Sequence, residues 1–128
     1  MVTLQIDSFP SQEDMAALWI AAWNESPTRD FSNVLQRSLA HVCAYDGEEL
    51  VGFVNIAWDG GIHAFLLDTC VHPRLQRRGI ARRMVTTARD LACERGAQWL
   101  HVDFEPHLTS FYRACGFTPT SAGISRLS

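Results

Sequence analysis

The stretch Val71-His-Pro-Arg-Leu-Gln-Arg-Arg-Gly-Ile-Ala-Arg-Arg83 joins two segments of opposite character. Before it, Ile62 to Val71 is largely apolar and reads as a strand, expected to be central and covered on both faces. After it, Gly79 to Arg95 carries Ile80, Met84, Ala88 and Leu91 on one helical stripe, with Gly96 as the stop. A helix start presents unpaired backbone N–H groups and the positive end of the peptide dipoles, which together suit an anion. Gly79 lets the backbone approach a ligand with no side chain in the way. Arg74, Arg77, Arg78, Arg82 and Arg83 add charge around it. The combination reads as a pyrophosphate cradle. On charge alone, a solvated basic helix start or a non-specific nucleic-acid patch would together outweigh that reading.

Upstream, Val2 to Ile6 reads as a strand. Ser11-x-x-Asp14 resembles a helix cap ahead of the stripe Met15, Leu18, Trp19 and Ala22, and Pro27 ends that helix. Residues 32–40 suggest a second, shorter helix. From His41 the period is two: Val42 to Tyr45, the Asp46-Gly47 turn, Leu50 to Trp58, then Asp59-Gly60-Gly61 before the third strand. This half predicts an antiparallel meander. Downstream, Trp99 to Phe104 reads as a strand and Pro106 to Cys115 as a short helix closed by Gly116. Phe117 to Thr120 and Ile124 to Leu127 are candidate closing strands. Strand, helix and strand at this spacing make a βαβ crossover. The expected class is α/β (α+β): a mixed sheet with a meander, one crossover and flanking helices, in a single domain over residues 1–128.

The chain has 128 residues, 47% hydrophobic and 20% charged, an ordinary globular balance. Its longest apolar run, Ala16 to Trp23, is far short of the roughly 20 residues a membrane span needs. Met1 to Phe9 has neither a basic start nor an apolar signal core, so the expected location is cytoplasmic, with no membrane partner. All 11 basic residues are arginine. That excludes a Schiff-base lysine and the lysine of a phosphate-binding P-loop. Residues 1–73 hold 10 acids and 2 arginines, a balance of −8; residues 74–128 hold 4 acids and 9 arginines, a balance of +5. One surface is thus expected to take an anion and another to attract a cation. The acidic pI of 5.9 and the lack of interleaved aromatics in residues 74–89 speak against nucleic acid. Cys43, Cys70, Cys93 and Cys115 are too far apart for a C-x-x-C motif and read as buried, reduced thiols.

The order of residues around Gly79 adds a resemblance. Gln76-x-x-Gly79-x-Ala81, after a strand ending in Val71, resembles the acetyl-CoA-binding motif of the Gcn5-related N-acetyltransferases (GNAT family). Phe111-Tyr112-Arg-Ala-Cys-Gly116-Phe117 looks like the end of that family's later helix, and the element order is similar across nearly the whole chain. The resemblance implies that the third meander strand and the strand at Trp99 run parallel and splay apart, with the pantetheine arm in the gap. Backbone groups of Thr69, Cys70 and Val71 would pair with that arm. The N–H groups of Arg77, Arg78, Gly79, Ile80 and Ala81 would hold the pyrophosphate, within the Gln76 to Arg82 segment. An amine would attack the thioester of acetyl-CoA directly, and Tyr112 would protonate the departing thiolate. The implied function is transfer of an acetyl group from acetyl-CoA to a primary or secondary amine by a monomer or homodimer. The alternative is a non-catalytic module of the same fold that binds acyl-CoA or another protein.

One motif position departs from the family. Its usual Asn-x-x-Ala before the tyrosine is replaced by Glu105 and Leu108, so that contact to the cofactor arm is not carried over. Glu105 is instead a candidate base, or a cap for the helix that follows. Asp68, near the gap, is the other candidate base. His101, Asp103 and Glu105 are spaced by two and share one face if their strand is regular, with His107 just beyond. The series has the composition of a metal site, but a polar groove facing an amine is the preferred reading, with no metal. The acids near the gap then point to a cationic acceptor with no carboxylate beside its amine. His41, His63 and His72 show no partner pattern.

Overall fold

A computed structural model describes residues 1–128. Val2–Ile6 (β1), Ala40–Asp46 (β2), Glu49–Trp58 (β3), His63–Val71 (β4) and Trp99–His101 (β5) form one sheet, ordered as in the chain. The first four strands are antiparallel neighbours. β4 and β5 run parallel through the pairs His63–Trp99, Ala64–Leu100 and Phe65–His101. Gln12–Trp23 (α1) and Phe31–Arg37 (α2) cover one face, and Ile80–Glu94 (α3) and Thr109–Ala114 (α4) the other.

Alternation in β3 sorts the two cores. Phe53 packs with Met15, Leu18, Trp19 and Phe31 on the α1 side; Val54 and Ile56 pack with Met84, Val85 and Ala88 of α3. Ser11 accepts a hydrogen bond from the Asp14 N–H at 3.0 Å, and Asn24, left-handed at φ 54°, ends α1 before Pro27 is reached. Gly52 lets α3 close on the sheet: a Cβ there would lie 3.0 Å from both Ala44 Cβ and Met84 Sδ. Gly52→Val is therefore expected to destabilise the fold by about 2 kcal/mol through overpacking. The check is a lower urea midpoint at unchanged slope.

Two features set the C-terminal half of β4 apart. Phe53 pairs with Cys70 and Asn55 with Leu67, which leaves Asp68 and Thr69 together opposite Val54. This is a β-bulge, with Asp68 at φ 60°. β5 also ends at His101 while β4 continues to Val71, so the β5-facing edge of Leu66 to Val71 has no strand partner. The splay between the parallel strands starts there.

Several expectations need correction. The strand expected over Trp99 to Phe104 stops at His101. Beyond it Val102 and Phe104 still turn inward and Asp103 and Glu105 outward, with no ladder partner. Residues 106–108 form a 3₁₀ turn ahead of α4 rather than a continuous helix. The short helix expected over residues 32–40 ends at Arg37, because Ser38 turns extended and Ala40 opens β2. Neither closing strand forms: residues 117–128 are irregular, and Ile124 and Leu127 are exposed, with too little apolar surface to bury. β4 is covered on both faces only at Cys70 and Val71; Phe65 and Leu67 are 38% and 37% exposed. Cys93 is exposed, unlike the other three thiols.

Candidate active site

At the C-terminal end of β4 the chain turns through Pro73–Leu75 and enters α3. The His72 ring accepts from the Arg74 N–H at 3.2 Å, and the Gln76 amide donates to the Val71 carbonyl at 3.3 Å. Gln76 thus ties the loop to the strand end and occupies that carbonyl. Arg77 and Gly79 are left-handed, at φ 64° and 77°. The first hydrogen bond of α3 runs from the Arg83 N–H to the Gly79 carbonyl at 3.0 Å. The amides of Arg77, Arg78, Gly79, Ile80, Ala81 and Arg82 have no protein acceptor. A Cβ on Gly79 would meet nothing within 4 Å, so the space above this turn is open. These residues fit an anionic ligand: free amides, a helix start and clear space coincide.

Of the five arginines around the cradle, Arg74 is already engaged by Asp46, at 3.1 Å, and by Glu49. Arg77, Arg78, Arg82 and Arg83 are exposed and make no ion pair. A groove beside them is lined by Leu4, Gly79, Arg82, Arg83, Thr86 and Thr87.

Tyr112 is 6% exposed and belongs to the α3-side core. Phe104 stacks on it at 4.7 Å, and Phe111 and Phe117 meet it edge-on at 4.9 and 5.7 Å. Burial pushes the phenol above its ordinary value, and the neighbouring Thr69 side chain pulls it back less strongly. The phenol therefore holds its proton across the neutral range. Thr69 and Asp68 are consecutive at the bulge, yet one lies beside Tyr112 and the other bonds Arg29 of the α1–α2 loop.

Asp68 Oδ2 accepts from Arg29 Nη1 at 3.0 Å. Burial raises the Asp68 carboxyl above the usual range, and the guanidinium draws it part of the way back. Glu105 is exposed and makes no side-chain cap on the turn that follows it, so the capping reading is not realised. Asp103 and His107 are also exposed, and no three His, Cys, Asp or Glu side chains cluster as metal ligands. Burial pushes the Cys70 thiol up to about 12, which leaves it protonated and unreactive.

Local sequence patterns assigned no role to Arg29, Asn55, His41 or His63, and did not reveal the contact that His101 makes with His63. Arg29 is one of only two arginines in the acidic half, the signal that could have marked it. Asn55 is 3% exposed and its Oδ1 has no partner; it is the lone polar residue inside Leu50 to Trp58. His63 Nδ1 and His101 Nε2 are hydrogen-bonded at 2.9 Å across β4 and β5, with Phe65 stacked on His101 at 4.8 Å. Their separation of 38 positions hides that pair from any local pattern. His41 is a core residue whose ring bonds Ser38 at 2.9 Å and the Ser8 carbonyl.

Residues 2–117 match the model of the Acetyltransferase (GNAT) family, and the chain belongs to it. Among curated relatives, an uncharacterized ycf52-like N-acetyltransferase from Prochlorococcus marinus is 25% identical over 100 residues, 75% of this chain and 56% of that protein. Mycothiol acetyltransferase from Mycobacterium ulcerans is 31% identical over 87 residues, 66% of this chain and 27% of that protein. The chain thus spans about half of the first relative and a quarter of the second. The fold matches a probable acetyltransferase of unknown function from meticillin-resistant Staphylococcus aureus, with a TM-score of 0.86, 23% identity and full coverage of both chains. No helix is long and apolar enough to cross a membrane.

Proposed function

We propose that the chain is an N-acetyltransferase that moves an acetyl group from acetyl-CoA to a primary or secondary amine. The observation that carries this reading is the run of unpartnered amides from Arg77 to Arg82 at the end of a strand whose next neighbour has splayed away. The amides take the pyrophosphate, and the free edge at Thr69, Cys70 and Val71 takes the pantetheine arm as an added strand. Asp68 accepts a proton from the amine at the bulge, with Glu105 the candidate on the opposite wall. The nitrogen–carbon bond forms as the carbon–sulfur bond breaks, and Tyr112 gives its proton to the departing sulfur. No acyl-enzyme is needed. The protein acts as a monomer or homodimer in the cytoplasm and uses no metal.

Binding of acetyl-CoA to the folded chain alone raises its stability by about 2.7 kcal/mol at a hundredfold excess over Kd. For a domain of this size that is roughly 10 °C in Tm. A thermal melt with acetyl-CoA, followed by a thiol-release assay over an amine panel, tests both halves. An unshifted melt at millimolar acetyl-CoA defeats the reading. The second reading, a non-catalytic acyl-CoA module, draws on Glu105 standing where the family has asparagine. A shifted melt with no thiol released from any amine decides for it.

A further inference from the structure

We infer that Arg29 is the specificity residue for the acceptor, and that the acceptor carries a carboxylate next to its amine. This deepens the proposed reaction and rests on it. Arg29 is held from several sides. Gln12 accepts from the Phe31 N–H and donates to the Arg29 carbonyl, both at 2.9 Å, clamping the chain around Asp30. The guanidinium lies 4.9 Å from the Trp19 ring centre and 5.6 Å from that of Phe31, and Asp68 holds one nitrogen. A partly exposed ion pair of this kind contributes little to stability, which is a small return for so much positioning. Its other N–H groups meet no protein acceptor, and the side chain is 46% exposed.

The placement gives the free donors a purpose. Asp68 is the bulge residue on the stretch of β4 whose edge is free, beside the Thr69–Tyr112 contact. Phe65 and Leu67 alternate with the buried Ala64 and Leu66, so they are exposed on the α1–α2 face. Asn55, cross-strand from Leu67 and on that same face, leaves a buried Oδ1 without a donor. Such an orphan is destabilising unless a ligand or water meets it. Apolar walls, an orphan acceptor, a carboxylate and an unfilled guanidinium fork therefore share one face. An ammonium goes to the Asp68 side, and a planar anion to the fork, which matches a carboxylate in shape and charge. A phosphate dianion fits less well because Asp68 lies against the same guanidinium. The Arg29–Asp68 pair thus replaces the purely cationic acceptor expected from the acids alone.

The test compares three acceptors built on one apolar skeleton: the α-amino acid, its carboxamide and the decarboxylated amine, with phosphoethanolamine as a fourth arm. Thiol release from acetyl-CoA is measured for the wild type, Arg29→Gln and Arg29→Lys, with each variant's melt recorded. The amino acid is expected to exceed the carboxamide and the amine by at least about tenfold in kcat/KM. Arg29→Gln should bring that ratio close to one through KM, and Arg29→Lys should restore part of it, since charge survives but the fork does not. If Arg29→Gln does not fold, Arg29→Lys alone must lower the ratio. Equal use of carboxylate-free amines, a preference for the phosphate, or a ratio unmoved by either variant overturns the inference and leaves the acetyltransferase standing. No thiol release from any acceptor overturns the acetyltransferase, and the inference with it.

Discussion

Tyr112→Phe is expected to lower turnover by about 10²-fold while the acetyl-CoA melting shift stays as it was. The substitution keeps the ring that Phe104, Phe111 and Phe117 enclose and removes only the dissociable proton. Loss of a general acid typically costs about 10²–10⁴-fold, and the lower end applies because water can reach a thiolate at an open gap. The effect should fall on kcat, with KM for acetyl-CoA little changed. The pH profile gives a second check. The acid must be protonated to work, and burial raises its pKa. Turnover in the wild type should therefore show no decline assignable to Tyr112 until pH rises above the ordinary phenol range. A decline at lower pH that Tyr112→Phe abolishes would mean that the phenol is not held as described. Turnover within a few-fold of wild type would remove Tyr112 from the reaction.

Gly79→Glu is expected to abolish acetyl-CoA binding, with no melting shift at concentrations that move the wild type by about 10 °C. Two effects act together. Gly79 sits at φ 77°, where a side chain is strained by about 1 kcal/mol or more. The space above it is the open volume that the free amides border, so a carboxylate there both fills the cradle and satisfies its donors. Gly79→Ala separates the two: it carries the backbone strain and a small steric cost but no charge. Its melting shift should be reduced rather than lost. If Gly79→Glu melts lower and still shows the full acetyl-CoA shift, the cradle lies elsewhere.

Periodicity and turn chemistry made most of the elements legible. β1, α1, the β2–β4 meander and α3 come from stripes and stops that are local in the sequence. β5 and the closing strands failed for a tertiary reason. Val102 to Glu105 alternates like a strand, but a ladder also needs a neighbour within hydrogen-bonding distance, and β4 and β5 part after the Phe65–His101 pair, before the bulge is reached. Residues 117–128 carry Phe117, Ile124 and Leu127 as their only large apolar side chains, too few to hold two strands on a sheet edge.

The cradle was legible because its parts are consecutive, from Gln76 to Arg82. The proposed acceptor side was not, because Gln12, Arg29, Asn55 and Asp68 come from four separate elements or loops. Asp68 illustrates the limit. Its position near the gap followed from the resemblance, whereas its partner 39 positions away could be seen only once α1 and β4 were packed together.

The aromatic enclosure of Tyr112 has a consequence for how the proposed acid keeps its aim. Most proton donors are oriented by hydrogen bonds that must be exchanged as charge moves during reaction. Here the ring is gripped by neighbours that carry no charge and do not change during the chemistry. Its two torsions are frozen when the chain folds, so the rotational freedom, of order 1 kcal/mol for such a side chain, is surrendered then and not at each turnover. The same arrangement binds durability to speed. A loosened Phe104 or Phe117 would let the phenol wander before it measurably lowered the melting point, so rate should be the earlier casualty of any wear in this part of the core.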